Sequence, residues 1–508
     1  MASSTNRTVL FIIALILLVN AVLLYSARLL PFTDLPNHLV EATIYKYATD
    51  GTLLRDYYKA VPWYYPNTFH TVFCSLFPSV EFGNKTYYFI YVSLLLLSMY
   101  GIIKALKGNL WYGLLSVLFI YNYNVTSGFS GFSLSIAATF LLFYVILRDV
   151  QTGRPRYTLA AALLLVLIYL MHAQMGLFGL MLYGLSMLYR HWGNWKALVV
   201  KAVLVPLPVV AMVATWWANR AAAAPNEQST LAYLAGYYKR LYLGSLPMRA
   251  RLVVFDNFSL RAGITGLAIA GFLFLLVFLP LLYYKSWKQL GEKSFVKSNL
   301  VYPVILLLVS AGCYFVLPNK LPGQALIYER MSVTVLLSLI IIGSVLLREV
   351  HTRGIRYFVT GAALIYLCLW GEYFYTFNQQ NRDFRPAFFN GVPNNAVLGG
   401  LMYKYLYRGR YLYLHFPGYH IVWNKGLATT KSIDYRFGVV TRAERGNAIP
   451  FYREWIGRDY LHEKKYDTTL RYVVVHGKPP VQPDSNLLNK TLLRQAGAWQ
   501  LYQNNSVK

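Results

Sequence analysis

Acidic residues are scarce in this chain: across 508 residues, 20 Asp and Glu stand against 48 Lys and Arg, and charged residues make up only 13% of the whole. A soluble protein of this size carries roughly 25% charged residues. With 56% hydrophobic residues, the composition excludes an ordinary water-soluble fold. Cysteine is rarer still. Cys74, Cys313 and Cys368 are far apart, and two of them lie in apolar runs, so there is neither a disulfide framework nor a metal-ligand spacing. They read as small apolar core residues. A P-loop, a G-x-G-x-x-G leading into a helix, an H-E-x-x-H and a G-x-S-x-G are also missing, which leaves the usual soluble-enzyme chemistries without support. No small-residue cleavage site follows the first apolar run behind Arg7, so that run reads as a retained span and not a signal peptide. Internal repeats and low-complexity linkers are lacking too.

The chain is rich instead in long apolar runs. They cluster into stretches of about 15 to 22 residues, the length that the hydrocarbon core of a bilayer demands of a helix. Spans are expected at 9–25, 87–103, 110–121, 132–147, 158–171, 174–189, 197–217, 264–284, 300–317, 325–347 and 357–375. The fold class is therefore a polytopic α-helical membrane protein with about eleven transmembrane helices. The stretch 68–80 is too short to span and contains Pro78; it reads as a helix lying in the membrane interface.

Loop charges orient these spans. Lys104 and Lys107; Arg148, Arg154 and Arg156; Arg190 and Lys196; Lys285, Lys288, Lys293 and Lys297; and Arg348, Arg353 and Arg356 all fall in alternate short loops. Short cytoplasmic loops are the ones enriched in Lys and Arg, which places the N-terminus in the cytoplasm of a multi-pass cell membrane protein. Three long segments then lie outside: 26–86, 218–263 and everything after 377. The chain divides into a transmembrane domain, 1–377, with its first outer loop at 26–86, and an extracytoplasmic C-terminal domain, 378–508. Within the latter, "RYVVVHG" at 471–477 is an apolar β-branched run ended by Gly, and "AWQLYQN" at 498–504 alternates, so an α/β domain is expected.

The net charge of +28 calls for an anionic partner. No basic helix, RNA-binding motif or zinc pattern accompanies it, which argues against nucleic acid. Anionic lipids, or an anionic lipid-linked substrate, fit a membrane protein better.

Against this background the stretch "LLPFTDLPNHLVEATIYKY", at 29–47, stands out. It carries Asp34, His38 and Glu41 just outside the first span. Pro36 is tolerated in a first helical turn, so Asp34 falls near a helix cap, where the helix dipole favours its ionised form. His38 and Glu41, three apart, then share a face. An ionised carboxylate at the water–lipid boundary is suited to take a proton from an acceptor hydroxyl while a phosphate leaves. An ordinary N-cap followed by an interfacial His and Glu explains the same residues equally well.

A second outer constellation is "YERMSV". Glu329 and Arg330 there form either a snorkelling ion pair or a guanidinium fork for phosphate oxygens, held by the neighbouring carboxylate. The Pro- and Gly-rich "LPNKLPGQA" before it brings Lys320 to the same region. His172 ends the fifth span at the same outer level, and His70 in "YYPNTFH" is a further outer histidine. In "NVTSGFSGFSLS", the small residues around Gly128 and Gly131 permit close helix approach. The 44 tyrosines suit sugar stacking or protein contact.

The whole layout, with an Asp opening the first outer loop, about ten further spans and an outer C-terminal domain, resembles the GT-C superfamily of membrane glycosyltransferases. The motifs "DLPNHLVEA", "GFSGFSLSIA" and "ERMSVTVLLSL" also resemble those of uncharacterised bacterial membrane proteins, many of them described as glycosyltransferases. The resemblance implies transfer of a sugar from a polyprenyl-phosphate donor to a glycan, lipid or protein acceptor at the outer face. It also implies that Asp34 is the base or a metal-linked carboxylate. Asp34 is followed by Leu35, without the paired acid of well-studied members, so a divalent metal cofactor stays open, and His38 or Glu41 would supply the second group. Arg330, Glu329, Lys320 and His172 are the residues expected to bind the donor phosphate. Two other classes compete: a transporter or flippase of an anionic lipid or oligosaccharide, and a non-catalytic membrane subunit. Transport sites sit near the midplane, often in paired halves. The spans here hold almost no acids and no repeat, although Pro206 and Pro208 leave room for a broken helix.

Overall fold

The computed structural model describes residues 2–48, 52–223, 299–321, 324–348, 353–431, 438–450, 469–478 and 486–506, with isolated positions between 235 and 257. The chain is mostly helical. Among the described residues, five helices are long and apolar enough to cross a membrane: Asn6–Ser26, Val80–Ala105, Ser130–Thr152, Glu329–Leu346 and Arg353–Gln380. A sixth span is counted if Trp195–Leu204 and Leu207–Trp216, bent by 42° at Pro206, act as one. Proline has no N–H to continue the helical ladder, and that accounts for the bend. Pro155–Met171 and Val301–Val316 are apolar but shorter. The expected span 264–284, the basic loop 285–297 and most of 218–263 lie outside the described residues.

Apolar side chains point outward from these helices as well as inward. Phe11, Leu18, Leu159, Leu163, Leu308 and Ile365 are exposed, while Ser130–Thr152 is buried along nearly its whole length. Helices that are apolar all round belong in a lipid setting. Ser130–Thr152 is the central post, packed against Val80–Ala105 on one side and Pro155–Met171 on the other. Its end is set by Gly153 at φ +63 and its successor by Pro155 in the first turn, which together make a tight reversal.

The expected span 110–121 is corrected by the structure. Leu110–Gly113 is a single α-turn, Leu114–Phe119 is a 3-10 helix, and Tyr123–Ser127 is a further short helix. At one end the Asn109 N–H donates to Ser344 O (2.7 Å); at the other, the chain reaches the backbone of Asp34. Residues from Tyr112 to Tyr121 are almost all buried in protein, a setting in which irregular backbone is tolerated among apolar helices. An apolar run that is buried on every side reads like a span, and composition alone does not separate the two. The expected span at 325–347 is shortened for a related reason: Gln324–Ala325 is a strand paired with Lys320–Leu321, and the helical run begins at Glu329.

The C-terminal segment holds a five-stranded sheet ordered Leu427–Ala428, Val397–Met402, Tyr472–His476, Trp499–Asn504 and Lys490–Ala496. The first three strands are parallel and the last two pair antiparallel. Tyr472–His476 is buried throughout, as its unbroken apolar run requires of a central strand. This segment shares one continuous apolar core with the helices, from Val9 through Ile340 to Trp499. It is also stitched to the long loop after the first helix by Tyr58–Ala60, which pairs antiparallel with Val440–Arg442. Helix Phe69–Ser75 in that loop buries His70, Thr71 and Cys74.

Candidate functional site

The helix Leu35–Tyr47 carries the opening motif, and its start is fixed by backbone before any side chain acts. Thr33 N–H donates to Thr126 O (3.1 Å) and Asp34 N–H to Ser127 O (3.0 Å). Gly128 follows at φ +82, and a Cβ there would stand 2.5 Å from Asp34 N and 2.8 Å from Leu35 N. The small residues of "NVTSGFSG" thus back the site directly. Gly128→Ala should destabilise the protein by about 1–2 kcal/mol through its left-handed backbone alone, before any displacement of Asp34. A thermal unfolding midpoint equal to the wild type would contradict this.

Asp34 occupies the N-cap position of Leu35–Tyr47, yet its side chain makes no capping hydrogen bond. Its Oδ1 lies instead 3.1 Å from Nε2 of His415, a residue of the C-terminal segment whose side chain is 2% exposed. One turn on, His38 Nδ1 meets Glu41 Oε2 at 3.2 Å, the shared face that the spacing predicts. Burial pushes the Asp34 carboxyl up, but the hydrogen bond from His415 and the charges of His415, His38 and Lys431 outweigh it and hold Asp34 below its ordinary value. For His38, burial lowers the pKa, while the hydrogen bond and charge of Glu41 and the charge of Asp34 prevail and raise it. The two groups are driven apart, toward an ionised acid and a protonated imidazole.

The opposite wall comes from the apolar helices. His172 is the extended residue between helices Pro155–Met171 and Ala173–Arg190, where Gly131 lets the chain pass: a Cβ there would meet Met171 O at 2.6 Å. Arg330 donates from Nη1 to His172 Nε2 (3.2 Å) and from Nη2 to Ala325 O (3.2 Å). Its guanidinium lies 3.9 Å over the Phe129 ring, and Phe132 packs edge-on against His172. Burial and the neighbouring charge of Arg330 hold His172 well below its ordinary value, hence neutral and able to accept. His70 is likewise neutral, pushed by burial to about 3, with Nε2 bonded to Asn84 Oδ1 (2.9 Å).

Asp34, His38, Glu41, His172 and Arg330 all line one cavity of about 590 Å³, together with His70, Tyr123, Arg410, His415 and Lys431. Two expected residues do not line it. Glu329 is buried behind the wall, its Oε1 3.4 Å from Asn319 Nδ2, because the 3-10 turn Glu329–Met331 sends it away from Arg330's side. Lys320 is exposed on the first strand of its small hairpin. The sequence reading missed His415, Arg410 and Lys431. No local signal marks them, since they approach Asp34 only through the tertiary fold. Among the described residues, no group of three or more His, Cys, Asp or Glu side chains is arranged to hold a metal ion. Asp34 and Glu41 each pair with a histidine.

No protein-family model matches the chain, and no curated protein matches it in sequence.

Proposed function

We propose that the protein is a membrane glycosyltransferase that moves a sugar from a polyprenyl-phosphate donor to an acceptor hydroxyl, with Asp34 as the base. The observation that carries this reading is the grouping of Asp34, His38, Glu41, His172 and Arg330 around a single cavity at the ends of apolar helices. Its volume falls within the range of about 300–1,000 Å³ usual for small-molecule sites. The resemblance to GT-C enzymes adds to it. The bent pair Trp195–Leu204 and Leu207–Trp216 contributes no lining residue, which weakens the transporter reading.

In the proposed reaction an acceptor hydroxyl gives its proton to Asp34 as its oxygen bonds to the anomeric carbon. The bond from that carbon to the donor's phosphate oxygen breaks, and its electron pair leaves with polyprenyl phosphate. Arg330 and protonated His38 offset the negative charge gathering on that phosphate, while Glu41 holds His38 in its charged form. The polyprenyl tail stays among the apolar helices.

The site lies on the extracytoplasmic side in this reading. In a background lacking Cys74, Cys313 and Cys368, Asn395→Cys should react with an impermeant thiol reagent on intact cells, and Arg154→Cys only after lysis. Equal labelling would contradict the orientation. The activity itself is tested in proteoliposomes offered a panel of polyprenyl-phosphate sugars and acceptors. Release of polyprenyl phosphate that depends on an acceptor supports the reading. Translocation of the donor without its consumption would replace it with transport.

A further inference from the structure

We infer that His415 is a positioning residue for Asp34: by occupying one carboxylate oxygen, it draws the side chain off the helix end and leaves the other oxygen to face the acceptor. This rests on the proposed role of Asp34 as base, but its central test does not depend on that role.

Three observations converge on it. An Asp in the N-cap position normally accepts from a backbone N–H of the first turn, an arrangement worth about 1 kcal/mol. Asp34 forgoes that bond and keeps 32% of its side chain exposed where it lines the cavity. Among the described residues, His415 is the side chain within hydrogen-bond distance of it.

Second, the placement of His415 is built into the packing and is not incidental. Gly418 N–H donates to His415 O (3.1 Å), closing the 3-10 turn Phe416–Gly418. A Cβ on Gly418 would stand 2.8 Å from Val40 Cγ2, so this turn is pressed onto the helix that begins at Asp34. Thr430 Oγ1 ties the same segment to that helix by donating to Asn37 Oδ1 (3.1 Å).

Third, the other charged groups around Asp34 act on it without being its hydrogen-bond partner. His38 is engaged by Glu41 and, like Lys431, acts on Asp34 through its charge. A carboxylate turned to the wrong rotamer would still be ionised, but it would point at the backbone of its own helix. His415 removes that alternative. The C-terminal segment is therefore part of the site's geometry.

The test uses the full-length protein in lipid nanodiscs with its Asp carboxyls labelled by carbon-13. Infrared titration of wild type minus Asp34→Asn isolates the Asp34 carboxyl. Asp34 should titrate below the ordinary carboxylate range in the wild type. In His415→Phe, which keeps bulk but has no donor, its pKa should rise by about one unit or more. His415→Gln, which retains a donor near the place of Nε2, should keep Asp34 low. An unchanged titration in a folded His415→Phe protein overturns the inference. If His415→Phe does not fold, His415→Gln decides: a low Asp34 supports positioning by the hydrogen bond, and an Asp34 at or above its ordinary value overturns it. Where sugar transfer is observed, His415→Phe should lower kcat at least about tenfold with donor affinity unchanged. A wild-type protein that transfers no sugar sinks the proposed function and leaves the titration result standing.

Discussion

Asp34→Asn is expected to cut turnover about 100- to 10,000-fold while donor binding survives, the usual cost of removing a general base. Asparagine keeps the shape of the side chain and can still meet His415 with its carbonyl, so the backbone contacts to Ser127 and the start of Leu35–Tyr47 should hold. What it cannot do is accept the hydroxyl proton. The pH dependence follows from the environment of each group. Asp34 is held below its ordinary value, so the acid limb of the rate profile should lie below the usual carboxylate range. His38 is raised above 6.5, so the alkaline limb should lie above that value. Stability carries the same signs. The contribution from Asp34 is present above its unfolded pKa and fades as pH falls through the folded one. That from His38 is present below its unfolded pKa and fades as pH rises through the folded one. A substantially active, correctly inserted Asp34→Asn protein would remove the carboxylate from the mechanism.

Arg330→Ala should act on binding. A hydrogen bond to a charged group contributes about 1.5–3 kcal/mol, which corresponds to a loss of roughly 10- to 150-fold in affinity for a non-transferable donor analogue. Arg330→Lys should restore little of it. The guanidinium lies over Phe129 while its two ends reach His172 and Ala325 O, and an ammonium cannot span these at once. Donor affinity unchanged in Arg330→Ala would place the phosphate elsewhere. A parallel loss of stability is limited by His172, whose neutral ring stays packed against Phe132.

The sequence made the apolar helices legible because their side chains are apolar on every face, the pattern that lipid imposes. It also exposed the strands Tyr472–His476 and Trp499–Asn504, since one is buried on both faces and the other alternates. It misread 110–121, where apolar content reflects burial in protein and hides a broken, partly 3-10 path. Within the site, Asp34, His38 and Glu41 were legible because a helical spacing brings them together locally. His172 and Arg330 were legible because each is a polar residue at one end of an apolar run. Glu329 was misplaced because spacing does not say which side of a tight turn a carboxylate takes. His415 carried no signal, since its link to Asp34 is made by packing a distant turn onto Val40.

The central claim, that one cavity holds the donor phosphate against Arg330 and its sugar against Asp34, is tested most directly by an electron cryomicroscopy structure. The sample is the protein in nanodiscs with a non-transferable phosphonate analogue of a polyprenyl-phosphate sugar. The account predicts phosphonate density between Arg330 and His38, with the anomeric carbon turned toward Asp34 and the tail leaving among the apolar helices. Density for the analogue away from this cavity, or a headgroup turned with its sugar toward Arg330, would contradict it.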